Sequence, residues 1–154
     1  MWMILPARPD HVLYLAEHMR EADVREVWAS GRLTPEEALH KSLETSVDAW
    51  CCEYQGVPAL MWGVSRRGCI LSDVGVPWLL GTDAIRAVQR EFLRQSRSWV
   101  RRMHRDFERL ENHVHAVNRL SIRWLRWCGF VVEDKTPVPL NGEAFYKFWR
   151  MRHV

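Results

Sequence analysis

Residues 118–130 read NRLSIRWLRWCGF, and their spacing is the most informative pattern in this chain of 154 residues. Apolar side chains recur at helical intervals through Ile122 and Leu125, which predicts a short amphipathic helix. Gly129 follows, where a glycine readily takes the left-handed backbone that ends helices, and Phe130 then returns the chain to the core. Asn118 stands at the helix start, where its side chain either caps the helix or binds a ligand.

The composition indicates a single domain spanning residues 1–154. Its length and 47% hydrophobic content fit one core. The formal charge of +3 is too low for a dedicated nucleic-acid binder. No apolar run reaches the roughly 18 residues of a membrane span, and no signal peptide is evident, so we expect a cytoplasmic protein. The cysteines lack zinc or disulfide spacing, and no metal site is expected; they are Cys51, Cys52, Cys69 and Cys128.

The first half of the chain alternates helical and extended patterns. A strand, WMILPA, precedes one or two amphipathic helices that run from Pro9 to Gly31. Thr34 and Glu37 then form a capping box around a first-turn proline, which predicts a third helix. Three short runs rich in β-formers follow: DAWCCEY, VPALMWGVS and CILSDVGVPWL. Gln55 and Gly56 between the first two are typical of a hairpin turn, so we expect an antiparallel meander.

The second half begins with a long helix for which Thr82 is the expected N-cap and whose apolar stripe extends to Phe107. A strand, LENHVHAVN, leads into the helix of residues 118–130. FVVEDK and AFYKFWRMR are the last two strands, separated by a Pro- and Gly-bearing turn. This order predicts a mixed α/β (α+β) fold with a central, mostly antiparallel sheet flanked by helices.

The element order and the spacing of Asn118, Ser121, Gly129 and Phe130 resemble the GCN5-related N-acetyltransferase (GNAT) superfamily over nearly the whole chain. In that family a strand ends in Asn, a small residue follows three positions on, and Gly-Phe follows eleven and twelve positions on. The resemblance implies an acyl-CoA N-acyltransferase fold, acetyl-CoA as cofactor, and direct transfer of an acyl group to an amine.

The resemblance also implies the cofactor contacts. The pantetheine arm would pair with the fourth strand at Val74, Gly75 and Val76, and Asn118 and Ser121 would lie beside it. The family's (Arg/Gln)-x-x-Gly-x-(Gly/Ala) loop would hold the diphosphate on backbone N–H groups. Its counterpart here departs from that pattern, because it has one glycine and an acidic residue, which disfavours an anion; its residues are Gly81, Thr82, Asp83 and Ala84.

Asn118 and Ser121 also have structural interpretations, and Leu125 departs from the family pattern. Asn118 is either a cofactor contact or a helix cap, and Ser121 is either a cofactor contact or a small residue that allows close packing. Many family members carry a Tyr that protonates the departing thiolate of coenzyme A. Leu125 occupies that position and cannot transfer a proton.

The chain further resembles a smaller set of phage proteins of acetyltransferase-like fold, related to the T7-type internal virion and assembly protein. The shared features are Trp78 and Leu80 before the long helix and the IRWL segment from Ile122 to Leu125. This resemblance implies a phage or prophage origin and virion association. It also implies an alternative function, a catalytically silent binding module that acts in virion assembly or contacts a host protein.

A transferase that acts on an amine needs a base to take the ammonium proton. Asp73, expected within the third meander strand, and His115, on the strand before Asn118, are the candidates. Strand alternation places His115 and Asn118 on opposite faces, so both should not line one pocket.

Two other residue classes stand out. The nine tryptophans predict core anchors with at least one exposed cluster. The arginine-rich face of the long helix is interpreted as a solvated surface, with phosphate binding to nucleic acid as the less favoured alternative; it contains Arg86, Arg90, Arg94, Arg97 and Arg101.

Overall fold

The computed structural model describes residues 1–153, which form one sheet of eight strands with five helices on its two faces. The strands are β1 (Trp2–Pro6), β2 (Ser46–Tyr54), β3 (Val57–Arg66), β4 (Val74–Gly81), β5 (Arg109–His115), β6 (Val131–Val132), β7 (Val138–Leu140) and β8 (Glu143–Met151). The helices are α1 (Pro9–Glu17), α2 (Glu21–Gly31), α3 (Pro35–Thr45), α4 (Ile85–Met103) and α5 (Arg119–Trp127).

The sheet forks between β4 and β5. The strand order is β1-β2-β3-β4-β5-β8-β6, with β7 also paired to β8, and every pairing is antiparallel except that of β4 with β5. These two parallel strands pair only at Val74 with Arg109 and at Gly75 with Leu110. Because both strands then continue without pairing to Gly81 and His115, a gap opens in the centre of the sheet.

Each face of the sheet has its own hydrophobic core. On one face, α4 and α5 pack against β3, and Trp62 lies at the centre of an aromatic cluster with Phe92, Trp99 and Trp50. On the other face, α1 and α3 cover Met61 and its neighbours. Because adjacent strand residues point to opposite faces, β3 serves both cores. The central position of β3 therefore fixes the two helical layers on either side of the fork.

Most of the predicted elements and local signals are confirmed. Thr34 accepts a hydrogen bond from the Glu37 N–H, and the Glu37 carboxylate accepts one from the Thr34 N–H, so α3 begins with the expected capping box. Gly129 has φ of 89° directly after the last turn of α5, and Phe130 is buried. The mixed fold with a mostly antiparallel central sheet is confirmed as well.

The boundaries around β4 and α4 differ from the sequence predictions. The third meander strand begins at Val74, and Ile70 and Leu71 lie exposed in the loop before it. The N-cap of α4 is Ala84 and not Thr82. The Thr82 N–H and hydroxyl donate to the Ala59 carbonyl oxygen and extend the β3–β4 pairing, and the hydroxyl oxygen accepts from the Ala84 N–H. The helix therefore starts at Ile85.

Two further boundaries differ. Helix α4 ends at Met103, so Phe107 is buried beyond the helix instead of on its stripe. The turn expected before the last strand contains the short strand β7, which pairs with β8. Asn141 and Gly142 connect these two strands with φ of 50° and 82°, the pair of positive angles that a tight hairpin turn requires.

Candidate active site

The fork between β4 and β5 holds a cavity of about 380 Å³ that reaches both helical layers. Val27 and Leu33 bound it on the side of α2, and Trp124 and Leu125 bound it on the side of α5. A cavity of this size with mostly apolar walls and a few polar groups is typical of a small-molecule site. Its polar lining side chains are Glu26, Ser30, Ser42, Asn112, His113 and Ser121.

The edge of β4 that faces the cavity carries alternate backbone groups. Pro77, Leu79 and Gly81 turn their backbone groups toward β5, because strand alternation directs the groups of every second residue to one side. Asn112 Nδ2 donates to the Pro77 carbonyl oxygen at 2.9 Å, and a proline has no N–H. Of these three residues, Leu79 is therefore the one whose N–H and C=O both have no partner within residues 1–153. Both groups are free to bind a ligand.

The end of this edge is closed by the junction of α1 and α2. The Gly81 N–H donates to Asp23 Oδ2 at 2.9 Å, and the Arg20 N–H donates to the Gly81 carbonyl oxygen at 2.8 Å. Next along the chain, the Thr82 N–H donates to the Ala59 carbonyl oxygen at 2.8 Å. The Ala84 N–H donates to the Thr82 hydroxyl at 3.2 Å. These N–H groups already have partners within the chain.

A buried network connects this closed end to the cavity. The Arg20 guanidinium forms two hydrogen bonds with the Asp23 carboxylate, at 2.8 and 3.1 Å, and a third with Asn118 Oδ1 at 3.4 Å. Asn118 Nδ2 in turn donates to Glu26 Oε1 at 3.5 Å. Asn118 occupies the N-cap position of α5, yet its side chain forms no capping hydrogen bond. Its amide instead orients Glu26 and Arg20.

Glu26 is the carboxylate that this network presents to the cavity. Desolvation raises the pKa of Glu26 to about 7, the hydrogen bond from the His115 N–H opposes that rise, and the charge of Asp23 adds to it. The His115 N–H donates to Glu26 Oε1 at 2.7 Å, so the carboxylate is held at the carboxyl end of β5. A carboxylate whose pKa lies near neutrality can accept a proton from an amine at physiological pH.

The two expected base candidates lie elsewhere. Asp73 is exposed in the loop before β4, at the paired end of the fork, roughly 26 Å of strand from Gly81. The His115 ring is buried against Phe145, with Nε2 2.8 Å from Glu143 Oε1. The expected strand position of Asp73 is wrong, because β4 begins at Val74. Neither side chain lines the cavity, and His115 contributes only its backbone N–H.

His113 is the histidine that does line the cavity. Burial lowers its pKa, and the positive charges of Arg67 and Lys147 lower it further. The neutral ring is therefore favoured at physiological pH. No group of three or more His, Cys, Asp or Glu side chains within residues 1–153 is placed to hold a metal ion. In the same range, no helix is both long and apolar enough to cross a membrane.

The forked sheet is shared with solved acetyltransferases. An acetyltransferase of the GNAT family from Streptococcus pneumoniae is 14% identical, with a TM-score of 0.63 and coverage of 98% of this chain and 99% of that one. The yncA protein of Salmonella typhimurium, solved with acetyl-CoA, is 13% identical, with a TM-score of 0.70 over 100% and 95%. Aminoglycoside acetyltransferase AAC(6')-Ib, solved with coenzyme A, is 16% identical, with a TM-score of 0.65 over 99% and 95%.

This chain has the GNAT acetyltransferase fold. At these identities the likeness shows the fold alone, and the likeness extends over the whole chain. No protein-family model and no curated protein sequence matches the chain. The spacing that begins at Asn118 therefore indicated the correct fold where overall sequence similarity to known families is too low to do so.

The residues expected to contact the cofactor lie at different points along the fork. Val74 and Gly75 lie in the paired part of the fork, where their edge is occupied by β5. Val76 directs its backbone groups toward Ser65 of β3, not toward the cavity. A pantetheine arm would instead pair near Leu79, whose backbone groups face the cavity. Leu79 and Ser121 line both the cavity and a groove between α4 and α5, which suits such an arm.

The residues expected to hold the diphosphate do not fit that group. The N–H groups of Gly81, Thr82 and Ala84 are engaged, as described above, and the Asp23 carboxylate occupies the position that an anion would take at Gly81. Asp83, which is exposed beside them, adds a second negative charge. A diphosphate here would meet like charges and no free donor at these three positions.

Proposed function

We propose that this chain is an N-acyltransferase that transfers an acyl group from a pantetheine thioester, such as acetyl-CoA, to a primary amine. The observation that supports the proposal is Glu26, a carboxylate with a pKa of about 7 in the wall of the fork cavity. The free edge of Leu79 beside it supplies the N–H and C=O groups that an amide-bearing arm needs. The GNAT fold supports this reaction by analogy with the solved acetyltransferases.

The proposed chemistry assigns one step to this chain's side chains. A bound thioester supplies an electrophilic carbonyl carbon. Glu26 takes one proton from the ammonium, the free amine then forms the C–N bond while the C–S bond breaks, and the nitrogen releases its second proton to solvent. The thiolate takes its proton from solvent, because the side chain at the family's acid position is the buried Leu125. Asn118 and the His115 N–H act as positioning groups that hold the Glu26 carboxylate in the cavity wall.

The test is an assay of thiol release from acetyl-pantetheine and from acetyl-CoA with a panel of primary amines. We expect amine-dependent release whose kcat/KM rises with pH and levels off above an apparent pKa of about 7, since only the ionised Glu26 accepts a proton. Glu26→Gln should lower the rate by about 10²–10⁴-fold, the usual contribution of a general base. The control is Glu21→Gln, on an exposed position of the same helix. Equal rates in the two variants would remove Glu26 from the proposal.

A second candidate function is a catalytically silent binding module of phage or prophage origin that acts in virion assembly or on a host protein. The observation that favours it is the closed end of the fork, where Asp23 already occupies the Gly81 N–H. The absence of binding at millimolar acetyl-pantetheine and acetyl-CoA would favour this function over the transferase. Dissociation constants below about 100 μM, or roughly −5.5 kcal/mol, would favour the transferase.

A further inference from the structure

The positive charge of the molecule is concentrated on α4 and α5. The two helices carry nine arginines and one glutamate, a formal charge of +8, whereas the whole chain has a formal charge of +3. All nine arginines are exposed. We call the surface that eight of them form the arginine face; its residues are Arg86, Arg90, Arg94, Arg97, Arg101, Arg119, Arg123 and Arg126, whereas Arg102 stacks on Trp50. A field of this strength attracts an acidic partner.

A narrow groove lies between the same two helices. Gln89 and Leu93 line it on α4, and Leu120 and Trp124 line it on α5. Its volume is about 50 Å³, and it shares Leu79, Ser121 and Trp124 with the fork cavity. The groove therefore adjoins the fork cavity and leads from the arginine face toward Leu79 on the edge of β4.

An aromatic side chain extends the apolar surface beside this face. Trp127 is 47% exposed, and the Arg97 guanidinium stacks on its ring at 4.0 Å and donates to its carbonyl oxygen at 3.0 Å. Leu120, at the rim of the groove, is 43% exposed. Tryptophan and arginine are the residue types that contribute most to protein–protein binding energy. This combination favours a folded protein partner over a polynucleotide.

We propose that the acyl donor is a pantetheine thioester carried by an acidic protein, which docks on the arginine face and inserts its arm through the groove. This inference rests on the proposed transferase function. A donor of this class needs no diphosphate site, in agreement with the engaged N–H groups of Gly81, Thr82 and Ala84. Its acidic surface, instead of a nucleotide, supplies the negative charge that the arginines bind.

The transfer remains balanced with this donor. The amine nitrogen forms its bond to the thioester carbonyl carbon, and the C–S bond breaks. The nitrogen loses two protons, one to the Glu26 carboxylate before the attack and one to solvent as the amide forms, and solvent gives one to the thiolate of the arm. The carrier leaves with a free thiol and is reacylated elsewhere, so no oxidant or reductant is needed.

The test compares three donors in one thiol-release assay: an acetylated acidic acyl carrier protein with its phosphopantetheine arm, acetyl-CoA, and acetyl-pantetheine. We expect KM for the carrier to be at least tenfold lower than KM for either small thioester, and to rise steeply with salt because the attraction is between surface charges. The double variant R86E/R90E should raise KM for the carrier at least tenfold at an unchanged melting temperature. Lys41→Glu, an exposed reversal on α3 across the sheet, is the matched control and should keep the wild-type KM.

The outcomes separate this inference from the proposed function. If acetyl-CoA is used with the lowest KM, the transferase stands and the carrier inference is wrong. The inference is also wrong if R86E/R90E and Lys41→Glu have the same effect on KM for the carrier. If a 20-base-pair DNA duplex binds as tightly as the carrier and blocks its use, the arginine face is a nucleic-acid surface. If none of the three donors releases thiol, the transferase itself fails.

Discussion

The two parts of the β4 edge, only a few residues apart, have opposite character. At Leu79 the strand borders a cavity and keeps its backbone groups free, and Glu26 nearby has a pKa of about 7. At Gly81 the same edge bonds to Asp23 and Arg20 through both of its backbone groups. Within one strand, therefore, the position suited to a thioester is open and the position suited to a nucleotide is closed.

The two parts differ in how their polar groups are satisfied. The Arg20–Asp23 pair satisfies the Gly81 groups internally, so the fork end is stable without an anionic ligand. Glu26, by contrast, sits in a poorly solvated position that raises its pKa, which costs stability above that pKa. Stabilisation is concentrated at the closed end, and the destabilised carboxylate lies where chemistry is expected.

The largest expected effect comes from opening the closed end with Asp23→Ala. Asp23 is 1% exposed, and its loss leaves the buried Arg20 guanidinium without its carboxylate, which typically costs about 3–5 kcal/mol of unfolding free energy. The freed Gly81 N–H and Arg20 together form an anion site, so 3′-phospho-ADP should stabilise the variant and leave the wild type unchanged.

Thermal denaturation with and without 3′-phospho-ADP measures both effects of Asp23→Ala. Asp10→Ala is the control, because it breaks a fully solvated ion pair with Arg8 and should leave the melting temperature nearly unchanged. A ligand response in the wild type as large as that in Asp23→Ala would mean that the Gly81 end is open.

The next effect concerns the open part and its pH dependence. The folded state holds the Glu26 proton more tightly than the unfolded state, with a pKa of about 7 against 4.5. Stability should therefore fall as pH rises through this window and stay level above it. Glu26→Gln should be more stable than the wild type at pH 8, by up to about 3 kcal/mol, and nearly equal at pH 4.5. Urea denaturation at both pH values checks this; a pH-independent difference would contradict the raised pKa.

A smaller effect is expected at the point where the fork begins. A Cβ atom added at Gly75 would lie 2.6 Å from Phe107 Cδ2 and 2.9 Å from Leu110 Cδ2, so Gly75→Ala must displace these side chains or the backbone that carries them. Overpacking of this kind costs about 1–3 kcal/mol. Gly31→Ala is the matched control, since the nearest atom to its added Cβ lies 3.5 Å away. Equal melting temperatures for the two variants would show that the fork tolerates a side chain here.

The smallest predicted effect concerns Asn118, whose side chain forms hydrogen bonds with Arg20 at the closed end and with Glu26 beside the open part. Asn118→Ala removes the long hydrogen bonds to Arg20 and to Glu26, at a cost of about 1 kcal/mol. Since the bond to Glu26 favours its ionised form, the apparent pKa of kcat/KM should move upward. Val117→Ala, exposed at the preceding position, is the control. A pH profile unchanged by Asn118→Ala would assign that residue a packing role only.

The sequence predicted the elements whose signals are local. The capping box of Thr34, the left-handed Gly129 and the apolar stripe of α5 each involve residues within a few positions of one another. These local signals sufficed for the fold. Leu125 is buried, and the absence of an acid group at this position follows from its side chain alone.

The residues of the candidate site depend on contacts between distant parts of the chain. The Glu26 carboxylate accepts a hydrogen bond from the His115 N–H across 89 positions, and Asp23 accepts one from the Gly81 N–H across 58 positions. No local periodicity encodes either contact, so the sequence favoured Asp73 and His115 instead. Asp23 and Glu26, three positions apart and beside the buried Val27, were the available signal: two carboxylates on the apolar side of α2 need partners when buried.

The most direct test of the contrast between Leu79 and Gly81 is a calorimetric titration of the wild-type chain with the two halves of the cofactor separately. Because Leu79 is open and Gly81 is closed, we expect acetyl-pantetheine to bind with a dissociation constant below about 100 μM. We expect 3′-phospho-ADP to show no heat of binding at millimolar concentration. Binding of 3′-phospho-ADP without binding of acetyl-pantetheine would contradict both expectations, because the open and closed parts of the β4 edge would then be exchanged.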